Sequence, residues 1–202
     1  MKPEGSSLVN TEIFNELVQG GHTDRESGKY IWLPQIPEWQ NGNTYFEDFD
    51  WLKLDNIFIF GRLGGNAFYA WSKETNEVFY CDEVGAGTAV FYAPDLSAAL
   101  FRMVVEFAAG LYDPLCSDEE KEEMDEDEAD EYISESEAVG MLKCYLLVFG
   151  KYWKSEWREI IENMINKGIA CGDAFIYPDA AYGFFNDYFP QNRMNTVLDL
   201  NK

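Results

Sequence analysis

The spacing of apolar residues changes character along the chain. From residue 57 to 92 they come in short runs: Ile57-Phe-Ile-Phe60, Ala67-Phe-Tyr-Ala-Trp71, Val78-Phe-Tyr-Cys81 and Thr88-Ala-Val-Phe-Tyr92. Glycine-rich or polar turns separate them. Short runs rich in aromatic and β-branched residues predict strands. The connections are too short for parallel crossovers, so the strands should form an antiparallel meander. After Pro94 the period becomes helical. Leu96, Leu100, Met103, Val104 and Phe107 share a face, Asp95 or Ser97 can cap the helix, and Gly110 stops it near Ala109. Such a helix can cover one face of the sheet, giving an α+β layer architecture.

Further on, Ser134-x-x-Glu137 matches a capping box ahead of Val139, Leu142, Leu146 and Phe149. Another helix is predicted over Ser155 to Lys167, with Trp157, Ile160, Ile161, Met164 and Ile165 on one face and Gly168 as its stop. The aromatic-rich tail from Ala174 to Pro190 should pack. Upstream, Asn10 or Thr11 can cap a short helix to Val18, Leu33-Pro34 and Ile36-Pro37 read as extended, and Asn41-Gly42 marks a turn. The expected organisation is an α+β core over residues 1–112, an acidic loop or insertion over 113–133, and a helical, aromatic-rich part over 134–202 packed on the core. The fold class is α+β, an antiparallel sheet covered by helices with a helical C-terminal extension.

Composition supports a folded chain. Of 202 residues, 47% are hydrophobic and 16% aromatic, enough to bury a core. Charge narrows the partners. The formal net charge is −22, and residues 118–137 hold 13 acidic residues against one lysine, Lys121. A surface so negative repels phosphate backbones and anionic membranes, and it favours basic proteins. The acidic run is open to three readings. It is a solvated loop whose like charges repel. It is an electrostatic docking surface, which a solvated loop can also be. Or it is a calcium loop beginning Asp125-x-Asp127, although Asp130 stands where that loop needs glycine.

A second partner signal is Tyr45-Phe-Glu-Asp-Phe-Asp-Trp51, which sets interface-prone aromatics among carboxylates. Core packing of Phe46, Phe49 and Trp51 is the plainer alternative. The candidate partner-binding residues are therefore Tyr45, Glu47, Asp48, Asp50, Trp51, Asp118, Glu119, Glu120, Asp125 and Asp127.

Catalytic constellations are not legible. Gly61-x-x-Gly64-Gly65 leads into a strand rather than a helix and does not match a phosphate loop. His22 is the sole histidine, and no serine lies in a G-x-S-x-G. Cys81, Cys116, Cys144 and Cys171 show no paired spacing, so buried reduced thiols are expected rather than a zinc site. The expectation is a non-enzyme without metal or cofactor. No apolar run reaches the roughly 18 to 20 residues of a membrane span, and the N-terminus lacks a signal-peptide apolar region, so a cytoplasmic location is expected.

The order of motifs resembles the SUKH superfamily (SMI1/KNR4 family). Gly61, Gly64, Gly65, Asn66, Tyr69 and Ala70 occupy the places of its glycine turn and tyrosine-rich strand. Val78, Tyr80 and Asp82 occupy the next strand, and Ala93-Pro-Asp-Leu-Ser97 the start of its helix. Leu33-Pro34 and Asn41-Gly42 resemble the upstream segment, so the similarity spans residues 30–109. The resemblance implies a bacterial immunity protein that binds and neutralises a cognate polymorphic toxin domain, often a nuclease. The alternative it leaves is a non-enzymatic regulatory or scaffold protein of the same type.

Overall fold

The computed structural model describes residues 11–13, 57–62, 68–81, 88–110, 115–129, 131–167 and 197–199. It is a mixed α+β fold made of two compact units. One comprises Met1–Ala99 with Phe189–Lys202, the other Leu100–Tyr188.

The first unit holds a five-stranded antiparallel sheet in the order β1-β2-β3-β4-β7. Strands β1 (Ile57–Arg62), β2 (Phe68–Ser72), β3 (Val78–Cys81) and β4 (Thr88–Ala93) form the predicted meander to within two residues at each end. The edge strand β7 (Val197–Asp199) pairs Ala89 with Leu198. Its three residues are too few to show alternation, so the sequence pattern does not predict it.

Every residue of β2 is buried, as expected of a central strand covered on both faces. Cross-strand register sets Tyr69 opposite Tyr80 and Phe79 opposite Phe91. A bulge between Val78 and Phe79 in the β3–β4 pairing leaves Tyr92 as the extra residue of β4. Its ring closes on Tyr69 at 4.8 Å edge to face, while Tyr69 and Tyr80 lie 5.0 Å apart. Such aromatic pairs add about 0.5–1.5 kcal/mol each beyond the area they bury.

The β2–β3 hairpin turns through Lys73 to Asn76. Asn76 N–H donates to the Ser72 carbonyl at 2.7 Å, and Ser72 N–H to the Glu77 carbonyl at 2.9 Å. The loop requires a left-handed residue at its end. Asn76 supplies it with φ of 64°, a conformation asparagine tolerates better than most side chains.

Helix α1 (Leu96–Gly110) follows as predicted. Asp95 is its cap: its carboxylate accepts from Ala98 N–H at 2.8 Å. Leu96, Leu100, Met103 and Val104 are buried, but so are Phe101, Val105 and Ala108. The helix is therefore covered on more than the one face its spacing suggested. From Leu100 onward it belongs to the second unit. There Phe101 stacks on Trp157 at 4.7 Å and 6°, and meets Trp153 edge-on at 5.9 Å.

The rest of that unit is built from α4 (Glu135–Phe149), a 3-10 turn (Gly150–Tyr152) and α5 (Ser155–Lys167). On α5, Trp157, Ile161 and Met164 are buried, on the predicted face. On α4 the buried stripe is Ala138, Leu142, Tyr145 and Phe149, with Val148 beside it. Val139 and Leu146, which follow the same capping box, are half-buried. The reason is that 141–149 is apolar nearly all round, so sequence alone does not select the inward face.

Candidate functional site

The acid-rich segment has a definite architecture. A short parallel bridge joins β5 (Leu115–Cys116) to β6 (Ile133–Ser134), with Cys116 opposite Ser134. Each strand feeds directly into a helix: α2 (Asp118–Glu123) after β5, and α4 after β6. The bridge thus sets two helix N-termini side by side, each with unpaired N–H groups and the positive end of its dipole.

Both starts are closed by the same device. Ser117 Oγ accepts from Glu120 N–H at 3.1 Å, and the Glu120 carboxylate accepts from Ser117 N–H at 2.8 Å. Ser134 Oγ accepts from Glu137 N–H at 3.3 Å, and Glu137 accepts from Ser134 N–H at 2.9 Å. The Ser134 box is the one the sequence predicts. The Ser117 box has the same Ser-x-x-Glu signature, but no apolar run follows it to mark a helix start. A further short helix, α3 (Glu126–Ala129), completes the segment.

Lys121 fastens the pieces. Its ammonium donates to the Tyr132 carbonyl and to the Glu137 carboxylate, each at 2.7 Å. Asp118 adds a second tie, its carboxylate accepting from Ser136 N–H at 3.1 Å. The bonds from Ser134 and Ser136 hold the Asp118 carboxyl below its ordinary value. The Ser117 backbone and hydroxyl do the same for Glu120. At Glu137 partial burial raises the pKa, but Lys121 and Ser134 together outweigh it and the net shift is down. All three carboxylates therefore stay ionised to lower pH than an unpartnered carboxyl would.

Five candidate residues fall here, and they divide. Asp118 and Glu120 are engaged in the network just described. Asp125 accepts from Glu128 N–H at 3.0 Å and caps α3, a use of its carboxylate different from calcium ligation. Glu119 and Asp127 are exposed and project from α2 and α3 beside Glu122, Glu123, Glu126 and Glu128. Neither α2 nor α3 has a buried residue. The solvated loop expected here is thus two short helices with an outward acidic surface, and their order comes from polar bonds. Tyr45, Glu47, Asp48, Asp50 and Trp51 lie outside the described residues, as do His22 and the Gly64-Gly65 turn.

Among the described residues no group of three or more His, Cys, Asp or Glu is arranged to hold a metal ion. No described helix is long and apolar enough to cross a membrane. Cys81 and Cys116 are buried and Cys144 is half-buried, and none of the three is joined in a disulfide. Compared with protein-family models, curated proteins and solved structures, the chain matches none.

Proposed function

We propose that this chain is a bacterial immunity protein of the SUKH type, which binds and neutralises a basic toxin domain, such as a nuclease, by protein–protein contact. The observation that carries the reading is the acidic surface of α2 and α3. Its one lysine is spent internally on Tyr132 and Glu137, so what faces outward is carboxylate. A preformed, single-sign surface on a chain of net charge −22 attracts a basic partner over about a Debye length, on the order of 8 Å at physiological salt. The order of the sheet motifs, in the strands β1 to β4, is the second support. In this reading the carboxylates hasten encounter, and the aromatic segment from Tyr45 to Trp51 supplies anchors that slow release.

The test uses the toxin domain expected at the C-terminus of the secreted protein encoded beside this chain. Expressed alone, that domain should arrest growth, and co-expression of this chain should restore it. In vitro, converting Glu119, Glu122, Glu123 and Asp127 to their amides should lower the association rate by roughly tenfold at low salt and flatten its salt dependence. The dissociation rate should change less. An association rate indifferent to both salt and these changes would remove the acidic surface from the mechanism. No rescue of growth would leave the regulatory or scaffold reading.

A further inference from the structure

Between Asp118 and Ala129, helices α2 and α3 carry nine carboxylates and one lysine, and neither helix buries a residue. The charge in α2 is arranged against its own helix. Asp118 and Glu122 are four residues apart, as are Glu119 and Glu123, so like charges face each other along it. Glu122 and Glu123 also stand at its C-terminal end, where the helix dipole is negative. No buried face offsets this repulsion. Three short ties to neighbouring residues oppose it instead. Lys121 holds the Tyr132 carbonyl and the Glu137 carboxylate, each at 2.7 Å, and Ser136 N–H holds Asp118 at 3.1 Å. All three run to the first turn of α4 or the residues just before it. The β5–β6 bridge closes the base of the segment, pairing Cys116 ahead of α2 with Ser134 after α3. The part between can lift while the bridge stays formed.

Fastening and repulsion differ in range. Contacts of 2.7 to 3.1 Å lie well inside the Debye length, about 8 Å at physiological salt. Repulsion is summed over many exposed carboxylates at longer separations, where salt screens most strongly. Added salt therefore weakens the opening force more than the fastening.

We propose that α2 and α3 form an electrostatic strap that cations close. It is ordered against the start of α4 when its carboxylates are screened and released at low ionic strength, while the bridge and α4 persist in both states. Closed, it presents an ordered acidic surface; released, it is a tethered polyanion. A multivalent cation, concentrated by the summed field of the carboxylates, closes it at lower concentration than sodium does. The inference is independent of the proposed function, because simple cations suffice.

The experiment is amide hydrogen exchange of the full chain at neutral pH, corrected for intrinsic rates, between about 10 and about 200 mM sodium chloride. A parallel series adds submillimolar spermine at the lower salt. Protection over residues 118–129 should rise several-fold with salt, by more than that of α4, and spermine should reproduce the rise. Glu122→Gln combined with Glu123→Gln should raise α2 protection at low salt by about threefold and shrink its salt response. Lys121→Met should remove protection from 118–129 at every salt concentration and leave the melting temperature almost unchanged. Protection that falls with salt overturns the proposal, because the Lys121–Glu137 ion pair would then be the dominant force. Indifference to salt and spermine also overturns it, as does a rise no larger than that of α4, which would be general screening of a chain of charge −22. Intact protection in the Lys121→Met chain would do the same.

Discussion

Helices α2 and α4 start side by side and are capped by the same four-residue device, yet they are different objects. Helix α4 buries Ala138, Leu142, Tyr145, Val148 and Phe149, whereas α2 buries nothing. In α4 the capping box trims the end of a helix that burial already holds. In α2, which buries nothing, the box, Lys121 and Asp118 are the side-chain bonds that order it. An isolated helix of six residues would not persist in water. The difference shows that one local signal can have two energetic meanings, decided by what lies on the helix face behind it.

The largest break in this comparison should come from the buried side. Leu142 is fully buried, so Leu142→Ala should destabilise the helical unit by about 2–5 kcal/mol. Thermal unfolding followed by circular dichroism reads this. A loss below about 1 kcal/mol would mean that α4 is not anchored as described.

Next come the caps. Ser134→Ala should cost about 1 kcal/mol of global stability. Ser117→Ala should leave the melting temperature almost unchanged and instead raise amide exchange over residues 118–123, because the helix it caps opens locally. Equal effects of the two substitutions on global stability would erase the distinction between the helices.

The smallest effect is that of pH. The folded pKa values of Asp118, Glu120 and Glu137 are depressed below their ordinary 3.8, 4.5 and 4.5. Their contribution is therefore complete above those values and lost as pH falls through the lower, folded ones. Amide exchange in α2 should be flat from pH 7 to 5, after correction for intrinsic rates, and rise below about pH 4 before α4 responds. Loss of α2 protection already at pH 6 would assign its order to some other group.

The sheet was legible because strands β1 to β4 are short apolar runs between turn signals, and local patterning suffices for that. Strand β7 was not, since its three residues are selected by the edge that β4 offers. Asp95 could be chosen over Ser97 as the cap of α1 only from the bond to Ala98. At the candidate site, the acidic residues could be found by composition and the Ser134 box by its signature. The role of Lys121 could not, because Tyr132 and Glu137 lie 11 and 16 residues away and only the β5–β6 bridge brings them near.

The absence of buried residues from α2 and α3 has a consequence for how such a surface changes over generations. Substitutions at their outward positions meet no packing constraint, so this patch can drift or alter its charge pattern while the interior stays as it is. What must persist is small: Ser117 and Glu120 to start the helix, Lys121 to fasten it, and Asp118 to tie it to Ser136. The outward positions are a replaceable cassette, and these four residues are the clasp that holds it.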